Sequence, residues 1–311
     1  MNWKLKSMVQ RACATLPFAR EDLYYGLQKT FGRSRTHEPL EYFREAAEMA
    51  IQLAGAGRAI EGARVMEVGT GRGLDLPIGL YLCGAAHVTT VDLHRYLRPE
   101  RVAETLAFLR VHAATVRTAL AGAVDRGVLE GRLATLALVT TAAGLFRTLP
   151  IVYRAPADAT HLDLPAGAVD LQVSFTVFEH IPAGGLEGIL REASRLLSAS
   201  GVALHHVDMS DHFSHDDPRI SAINFLQFSE REWTGYAGNQ FAYHNRLRAP
   251  DYQAIYARSG HDILGWRPYL DDGARQALAE GLPLAPEFRR MSPDDLCVSQ
   301  VRILSRPALP G

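Results

Sequence analysis

The chain has 311 residues, of which 47% are hydrophobic and 22% are charged, and its formal net charge at pH 7 is −1. This length allows one large domain with appendages or two small ones. The balanced charge argues against a nucleic-acid partner, and no apolar run approaches the about 20 residues of a membrane span. The three cysteines show no metal-binding spacing, and the first residues lack the apolar core of a signal peptide, so we expect a cytoplasmic location.

Residues 1–60 are predicted to form an N-terminal helical cap, divided into three pieces by Pro17 and by residues 32–34. The third piece, 38–54, has the clearest helical period, with one apolar face made of Leu40, Phe43, Ala47, Ala50 and Ile51. The first piece interleaves basic residues with Trp3, Leu5, Met8 and Val9. This pattern fits a peripheral contact with an anionic membrane. A cap over a ligand site or a homodimer contact also explains it, and we favour this second reading.

The pattern that organises the chain lies in residues 64–92. An apolar run at 65–68 leads into the glycine-rich loop at 69–73, a helix-compatible segment follows, and a second apolar run stops at Asp92. This order is that of a nucleotide-type βαβ unit. The glycines allow close approach of a ligand to the backbone, and the terminal carboxylate is placed to accept hydrogen bonds from a ribose. A dinucleotide fingerprint requires a glycine where Leu74 stands, which argues against a nicotinamide cofactor.

A second pattern occupies residues 154–182, where Asp158-Ala159 is followed by Leu162 and, later, by Glu179-His180. Together with the acid Glu67 and the Gly-x-Gly-x-Gly loop, this stretch resembles the motifs of class I S-adenosylmethionine (SAM)-dependent methyltransferases. Two positions depart from the usual pattern, since Asp163 replaces a proline and Val169 a phenylalanine.

The resemblance implies an α/β fold with a Rossmann-like seven-stranded methyltransferase sheet of order 3-2-1-4-5-7-6. The last strand would insert antiparallel to the others. The cofactor implied is SAM, and the residues implied to bind it are Glu67, Gly69, Thr70, Gly71, Gly73, Asp92, Leu93, Asp158, Ala159 and Thr176.

Residues 93–150 interrupt the usual passage from the second strand to the third. Helical periodicity is clear in Val102, Leu106, Leu109, Val116 and Leu120, and only 136–141 is strand-like. We predict an insertion of two or three helices beside the sheet. Farther along, the pattern predicts strands at 171–175, 202–207, 261–266 and 297–304, and helices at 186–197 and 251–259.

The fifth strand is followed by an unusual cluster: four histidines and four aspartates lie within residues 205–217. The carboxyl end of a central strand is where open α/β sheets bind ligands. The candidate catalytic residues in and near this region are His206, Asp208, Asp211, His212, Glu179 and His180. A His/Asp base acting on a hydroxyl explains the cluster, and so does a hydrogen-bonded polar loop. A divalent metal on His206, Asp208, Asp211 and His212 is a third explanation that we do not favour, because the spacing matches no zinc pattern.

Residues 218–250 interleave aromatic rings with amides and guanidinium groups, and the insertion is predicted to span about 213–250. Such a set suits a sugar or an anionic glycan, and the candidate substrate-binding residues are Tyr243, Asn245 and Arg246. A subdomain that needs its own small core is the competing explanation. A nucleic-acid surface is unconvincing, because the segment contains no lysine.

The resulting hypothesis is a methyltransferase domain at 61–311 that acts on an oxygen of a sugar, a glycan or another hydroxylated small molecule. Two alternatives stay open. One is a catalytically inactive SAM-binding scaffold or regulator, and the other is an NAD(P)-dependent oxidoreductase on a related sheet.

Overall fold

The computed structural model describes residues 2–15, 23, 25–26 and 37–308. The predicted helix breaks at Pro17 and at 32–34 lie outside these ranges. The division of the chain into a cap and a domain at residue 60 stays a prediction.

Within the described residues, seven strands form one mixed sheet of order β3-β2-β1-β4-β5-β7-β6. The strands are β1 (Arg64–Val68), β2 (His87–Val91), β3 (Ile151–Arg154), β4 (Val169–Phe175), β5 (Leu197–Asp208), β6 (His261–Leu270) and β7 (Val298–Pro307). The first five are mutually parallel, and β7 runs antiparallel to both β5 and β6. The predicted fold class and strand order are therefore confirmed.

Helices flank this sheet on both sides. Their bounds are α1 (Trp3–Ala14), α2 (Pro39–Gly55), α3 (Asp75–Leu82), α4 (Pro99–Val111), α5 (Ala113–Ala119), α6 (Arg126–Ala137), α7 (Ala142–Thr148), α8 (Ala183–Leu196), α9 (Glu230–Ala237), α10 (Ala249–Arg258), α11 (Asp272–Ala279) and α12 (Pro293–Cys297). Single 3₁₀ turns occur at Phe178–His180, Asn224–Gln227 and Pro286–Phe288. Within the described ranges, no helix combines the length and the apolar character needed to cross a membrane.

The insertion after β2 differs from its prediction in two respects. It contains the four helices α4 to α7, not two or three, and 136–141 is not a strand. Leu136 lies in the last turn of α6 with its side chain buried, and Leu133, one helical turn earlier, is buried on the same face. A short apolar run is ambiguous between helix and strand, and here packing against the helices α3 and α4 favours the helix. The missed third strand, β3, has only four residues.

The two faces of the sheet carry separate apolar cores. Val65 and neighbours on its face pack against α2, α3 and the inserted helices, whereas Met66, on the opposite face, packs with α8 and α10. This division follows from the alternation of side chains along a strand. On α2, the buried face includes Phe43, but Ile51 is 47% exposed, contrary to its prediction.

A third core joins α1 to the segment after β5. Trp3 is buried against Phe213, and its amide donates to Asp217 Oδ2 at 3.0 Å. Trp3 therefore faces the protein interior, while Leu5 and Met8 are 52% and 68% exposed. Contact of this helix with a membrane or with a second copy of the chain stays a prediction.

Candidate functional site

A cavity of about 1890 Å³ opens at the carboxyl ends of β1, β2, β4 and β5. Ligand sites in proteins usually enclose about 300–1,000 Å³, so this cavity has room for a cofactor and a second ligand together. All of the residues predicted to bind the cofactor line it. They meet there because the carboxyl ends of parallel strands lie along one edge of the sheet.

The glycine-rich loop forms one wall of the cavity. Gly69 has a φ of +92°, and a Cβ atom there would lie 2.4 Å from Val177 Cγ2. Asp92 at the end of β2 holds the loop, since its Oδ2 accepts the Gly71 amide at 2.8 Å and its Oδ1 accepts the His94 amide at 2.9 Å. Burial raises the pKa of the Asp92 carboxyl, and the two amides partly oppose that rise. Asp92 thus shapes the loop as well as facing the cavity.

Glu67 lies in β1 beneath this loop, with 3% of its surface exposed. The Thr90 hydroxyl donates to its carboxylate. Burial raises the pKa of Glu67 to about 8, and the nearby carboxylates of Asp92 and Asp75 add to the rise. At neutral pH the protonated form therefore predominates, so Glu67 contributes little negative charge to the cavity.

The residues that follow β3 and β4, whose carboxyl ends lie beside those of β2 and β1, line the same wall of the cavity. Asp158 Oδ1 accepts hydrogen bonds from the amide and the hydroxyl of Thr160, at 2.9 and 2.8 Å. Thr176, directly after β4, has a φ of +51°, a left-handed conformation that non-glycine residues seldom adopt. Such conformations cluster at ligand sites, and Thr176 lines the cavity.

Histidines and acids gather at the far end of the cavity, where the Phe178–His180 turn and the loop after β5 meet. His212 Nε2 lies 3.8 Å and His215 Nε2 lies 3.5 Å from Asp208 Oδ2. The rings of His180 and His212 are 5.0 Å apart. His180 is exposed at the mouth of the cavity, but the protein packed around its ring still lowers its pKa. Burial lowers the pKa of His212 further, and the imidazoles that surround it add to this. Both rings are therefore neutral at pH 7 and carry a free lone pair.

Glu179 is the acid of this histidine end. It is 1% exposed, and neither of its carboxylate oxygens accepts a hydrogen bond of regular geometry within the described part of the chain, although backbone groups of Glu179 and Asp208 lie near enough to oppose part of the rise in its pKa. Burial raises its pKa well above the usual range, and the Asp208 carboxylate adds to the rise. One ligand atom from each of Glu179, His180 and His212 lies within 4.8 Å of the other two.

His206 lines the cavity but is engaged by residues that the sequence analysis did not single out. Its Nδ1 lies 3.1 Å from Glu45 Oε1, and its Nε2 lies 3.2 Å from Gln300 Oε1. Arg302 donates to the other Glu45 oxygen at 2.6 Å. Burial raises the pKa of Glu45, but the nearby His206 ring and the Arg302 guanidinium more than offset this, so the net shift is downward. The sequence feature that could have identified Glu45 is an acidic residue on the core-facing side of a predicted helix.

Three predicted site residues do not line the cavity, so the structure corrects their placement. Asp211 is buried, and its carboxylate accepts from the Phe213 amide and the Asn224 side chain. Arg246 donates to the backbone carbonyl of Phe225 at 3.1 Å. Buried polar groups need hydrogen-bond partners within the protein. Asp211 and Arg246 have theirs in the inserted segment after β5.

Asn245 is the third, and its amide donates to the carbonyls of Phe178 and Ile181, at 2.9 Å each. It therefore holds the turn that carries Glu179 and His180. Tyr243, the remaining predicted substrate residue, does line the cavity, and its carbonyl lies 2.9 Å from His180 Nδ1.

A protein family described as a methyltransferase domain matches residues 39–266. No curated protein sequence matches the chain. Among solved structures, it is similar to a SAM-dependent methyltransferase from Mesorhizobium loti, with 16% identity, a TM-score of 0.42, and coverage of 84% of this chain and 97% of that one. It is also similar to magnesium protoporphyrin IX methyltransferase from Synechocystis PCC 6803, with 11% identity, a TM-score of 0.44, and coverage of 98% and 96%. Structural similarity at this low sequence identity does not indicate the substrate.

Proposed function

Because the chain belongs to the methyltransferase-domain family, which matches residues 39–266, we propose that it transfers the methyl group of SAM to an oxygen atom of a hydroxylated small molecule, such as a sugar or a glycan. The observation that carries this proposal is the division of one large cavity. The glycine loop and Asp92 lie at one end, and neutral imidazoles lie at the other.

The glycine-loop end suits the adenosyl part of SAM. Asp92 Oδ1 and Oδ2 each keep a lone pair beyond the amide hydrogen bonds that they accept, so the carboxylate can also take the ribose hydroxyls. The Asp158-Ala159 pair lines the same wall and supplies a carboxylate and a backbone amide for the adenine edge. The left-handed turn at Thr176 carries the chain from this wall toward the histidine end.

The histidine end suits an acceptor that must lose a proton. In methyl transfer to a hydroxyl, the oxygen forms a bond to the methyl carbon while the carbon–sulfur bond breaks, and its electron pair goes to sulfur. The hydroxyl proton must leave to a base that is unprotonated at working pH. The neutral imidazoles and the Asp208 carboxylate form such a proton-accepting group. Most of the rate would come from holding the oxygen in line with the methyl group.

Transfer of labelled methyl groups from SAM to a panel of acceptors tests the proposal. The panel pairs sugars and glycans with amine and thiol acceptors of similar size, and calorimetry with SAM and with NAD as the control ligand is run on the same protein. We expect SAM binding, no NAD binding, and label only on hydroxyl acceptors. Transfer confined to nitrogen, sulfur or carbon would overturn the choice of oxygen, and no SAM binding would overturn the proposal itself.

A further inference from the structure

We propose that Glu179, His180 and His212 bind one divalent transition-metal ion, best matched by zinc, at the histidine end of the cavity. This inference rests on the proposed function, because the ion would hold the acceptor hydroxyl beside the methyl group. From the sequence we considered a metal site made of His206, Asp208, Asp211 and His212. Of these four residues, only His212 belongs to the site proposed here. His206 is engaged by Glu45 and Gln300, and Asp211 lies outside the cavity.

The three ligand atoms are already close together. They lie within 4.8 Å of one another, whereas zinc bonds of about 2.0–2.2 Å set neighbouring ligand atoms about 3.4 Å apart. Side-chain rotations that shorten these distances by up to about 1.4 Å would complete the set. Two of the ligands come from one turn after β4 and the third from the loop after β5, so adjacent parallel strands hold them in place.

Glu179 has an unmet requirement that a cation satisfies. A buried carboxylate normally accepts several hydrogen bonds, and one without donors is costly to bury. Both oxygens of Glu179 lack such a bond, although the residue is 1% exposed. Within the described residues, no salt bridge to Glu179 occurs. A metal ion between this carboxylate and two imidazoles would supply the missing positive partner.

His180 is oriented as a metal ligand usually is. Its Nδ1 lies 2.9 Å from the Tyr243 carbonyl oxygen, which can only accept, so the proton is on Nδ1 and the lone pair is on Nε2. A ligating histidine commonly donates its other ring nitrogen to a carbonyl in this way. His212 offers a buried Nε2 that makes no hydrogen bond. Asn245 fixes the turn from behind through two backbone carbonyls.

The donor set selects the kind of ion. Two imidazoles and one carboxylate suit zinc, iron, cobalt or nickel, whereas magnesium and calcium prefer oxygen ligands alone. Three protein ligands leave an open position for an acceptor oxygen. Coordination would lower the pKa of that hydroxyl. Because the metal would then occupy the lone pairs of both imidazoles, the proton would pass to Asp208, the remaining member of the proton-accepting group, whose Oδ2 lies 3.8 Å from His212 Nε2. The resulting alkoxide then attacks the methyl carbon, and sulfur takes the electron pair of the broken bond.

Metal titration of the full chain tests the site without any need for activity. Protein stripped with a chelator is titrated with Zn²⁺ in competition with a chromophoric chelator, and with Co²⁺ while its visible absorption is recorded. The variants are His180→Ala, His212→Ala and Glu179→Gln. His161→Ala is the matched control, because His161 is exposed and does not line the cavity. Far-ultraviolet circular dichroism establishes that each variant is folded.

We expect one equivalent of Zn²⁺ and a Co²⁺ spectrum of mixed nitrogen and oxygen ligation. Each histidine variant should lose more than about 100-fold in affinity, the upper end of what removing an outer-shell partner costs, and the control should lose none. Absence of Zn²⁺ binding to the unmodified chain overturns the site even if the variants misfold. An undiminished affinity for Zn²⁺ in variants that are folded also overturns the site. SAM calorimetry on the stripped protein separates the two proposals, since SAM binding without metal binding refutes only the metal site.

Discussion

The ionisation of Glu67 is the sharpest quantitative consequence of the structure, and Glu67→Gln tests it. The side chain is 3% exposed, and burial raises its pKa to about 8. A glutamate in the unfolded chain has a pKa of about 4.3. Between these two values the folded state holds a proton that the unfolded state has released. Wild-type stability therefore falls as pH rises through this window, by about 1.4 kcal/mol per pH unit from this group.

Glutamine does not titrate, so the stability of the Glu67→Gln variant does not fall with pH through this group. The free energy of unfolding of Glu67→Gln minus that of the wild type should rise by about 2.7 kcal/mol between pH 5.5 and pH 7.5. Urea unfolding without cofactor at three pH values in this range measures it. Taking the difference removes the contributions of other titrating groups, such as the buried His205 and His244. Glu61→Gln, at an exposed site, should show no such trend. A constant difference for Glu67→Gln would mean that Glu67 is ionised in the folded protein, contrary to the reasoning from burial.

Three further substitutions separate cofactor binding, chemistry and positioning. Asp92→Ala should raise the Kd for SAM by at least about tenfold, because hydrogen bonds to a charged group are worth about 1.5–3 kcal/mol. Calorimetry measures this Kd. An unchanged Kd would show that the ribose binds elsewhere. His212→Ala should lower kcat by at least about 100-fold, at the low end of acid–base or metal contributions, with the Kd for SAM preserved. Undiminished turnover would remove His212 from the reaction. Asn245→Ala removes the two hydrogen bonds that the amide donates to the turn and the two that its Oδ1 accepts from the Leu247 amide and the Tyr252 hydroxyl. Because each is worth about 0.5–1.5 kcal/mol, Tm should fall by at least about 4 °C, and kcat should fall less than in His212→Ala. An unchanged Tm would mean that Asn245 does not hold the turn.

Most of the cofactor wall was accessible from the sequence because its determinants are local. A glycine loop between two strands, followed by an acid, specifies its own geometry through backbone freedom and strand direction. The Asp158-Ala159 stretch was identified by its resemblance to the motifs of the methyltransferase family. These residues come together in the structure as the βαβ pattern requires.

The histidine end of the cavity could be predicted from the sequence only in part, for a different reason. The cluster at 205–217 was visible as composition, but composition does not say which side chains face inward. His205 and His206 are adjacent, yet His205 contacts Ser174 and Phe178, whereas His206 meets Glu45. Alternation along β5 divides them between the two faces of the sheet.

Long-range pairing decided the rest. Glu45 on α2 and Arg302 on β7 are 257 positions apart and meet beside His206, and no spacing rule connects them. Asn245, predicted to touch the substrate, instead satisfies the carbonyls of a turn 67 positions earlier. The sequence by itself determined the glycine-loop wall and most of the strands, since these follow from local backbone geometry and apolar period, whereas the strand order was implied by the family resemblance. Only the tertiary structure decided the partners of the buried polar groups, because a buried donor or acceptor must be satisfied by whichever segment the fold brings beside it.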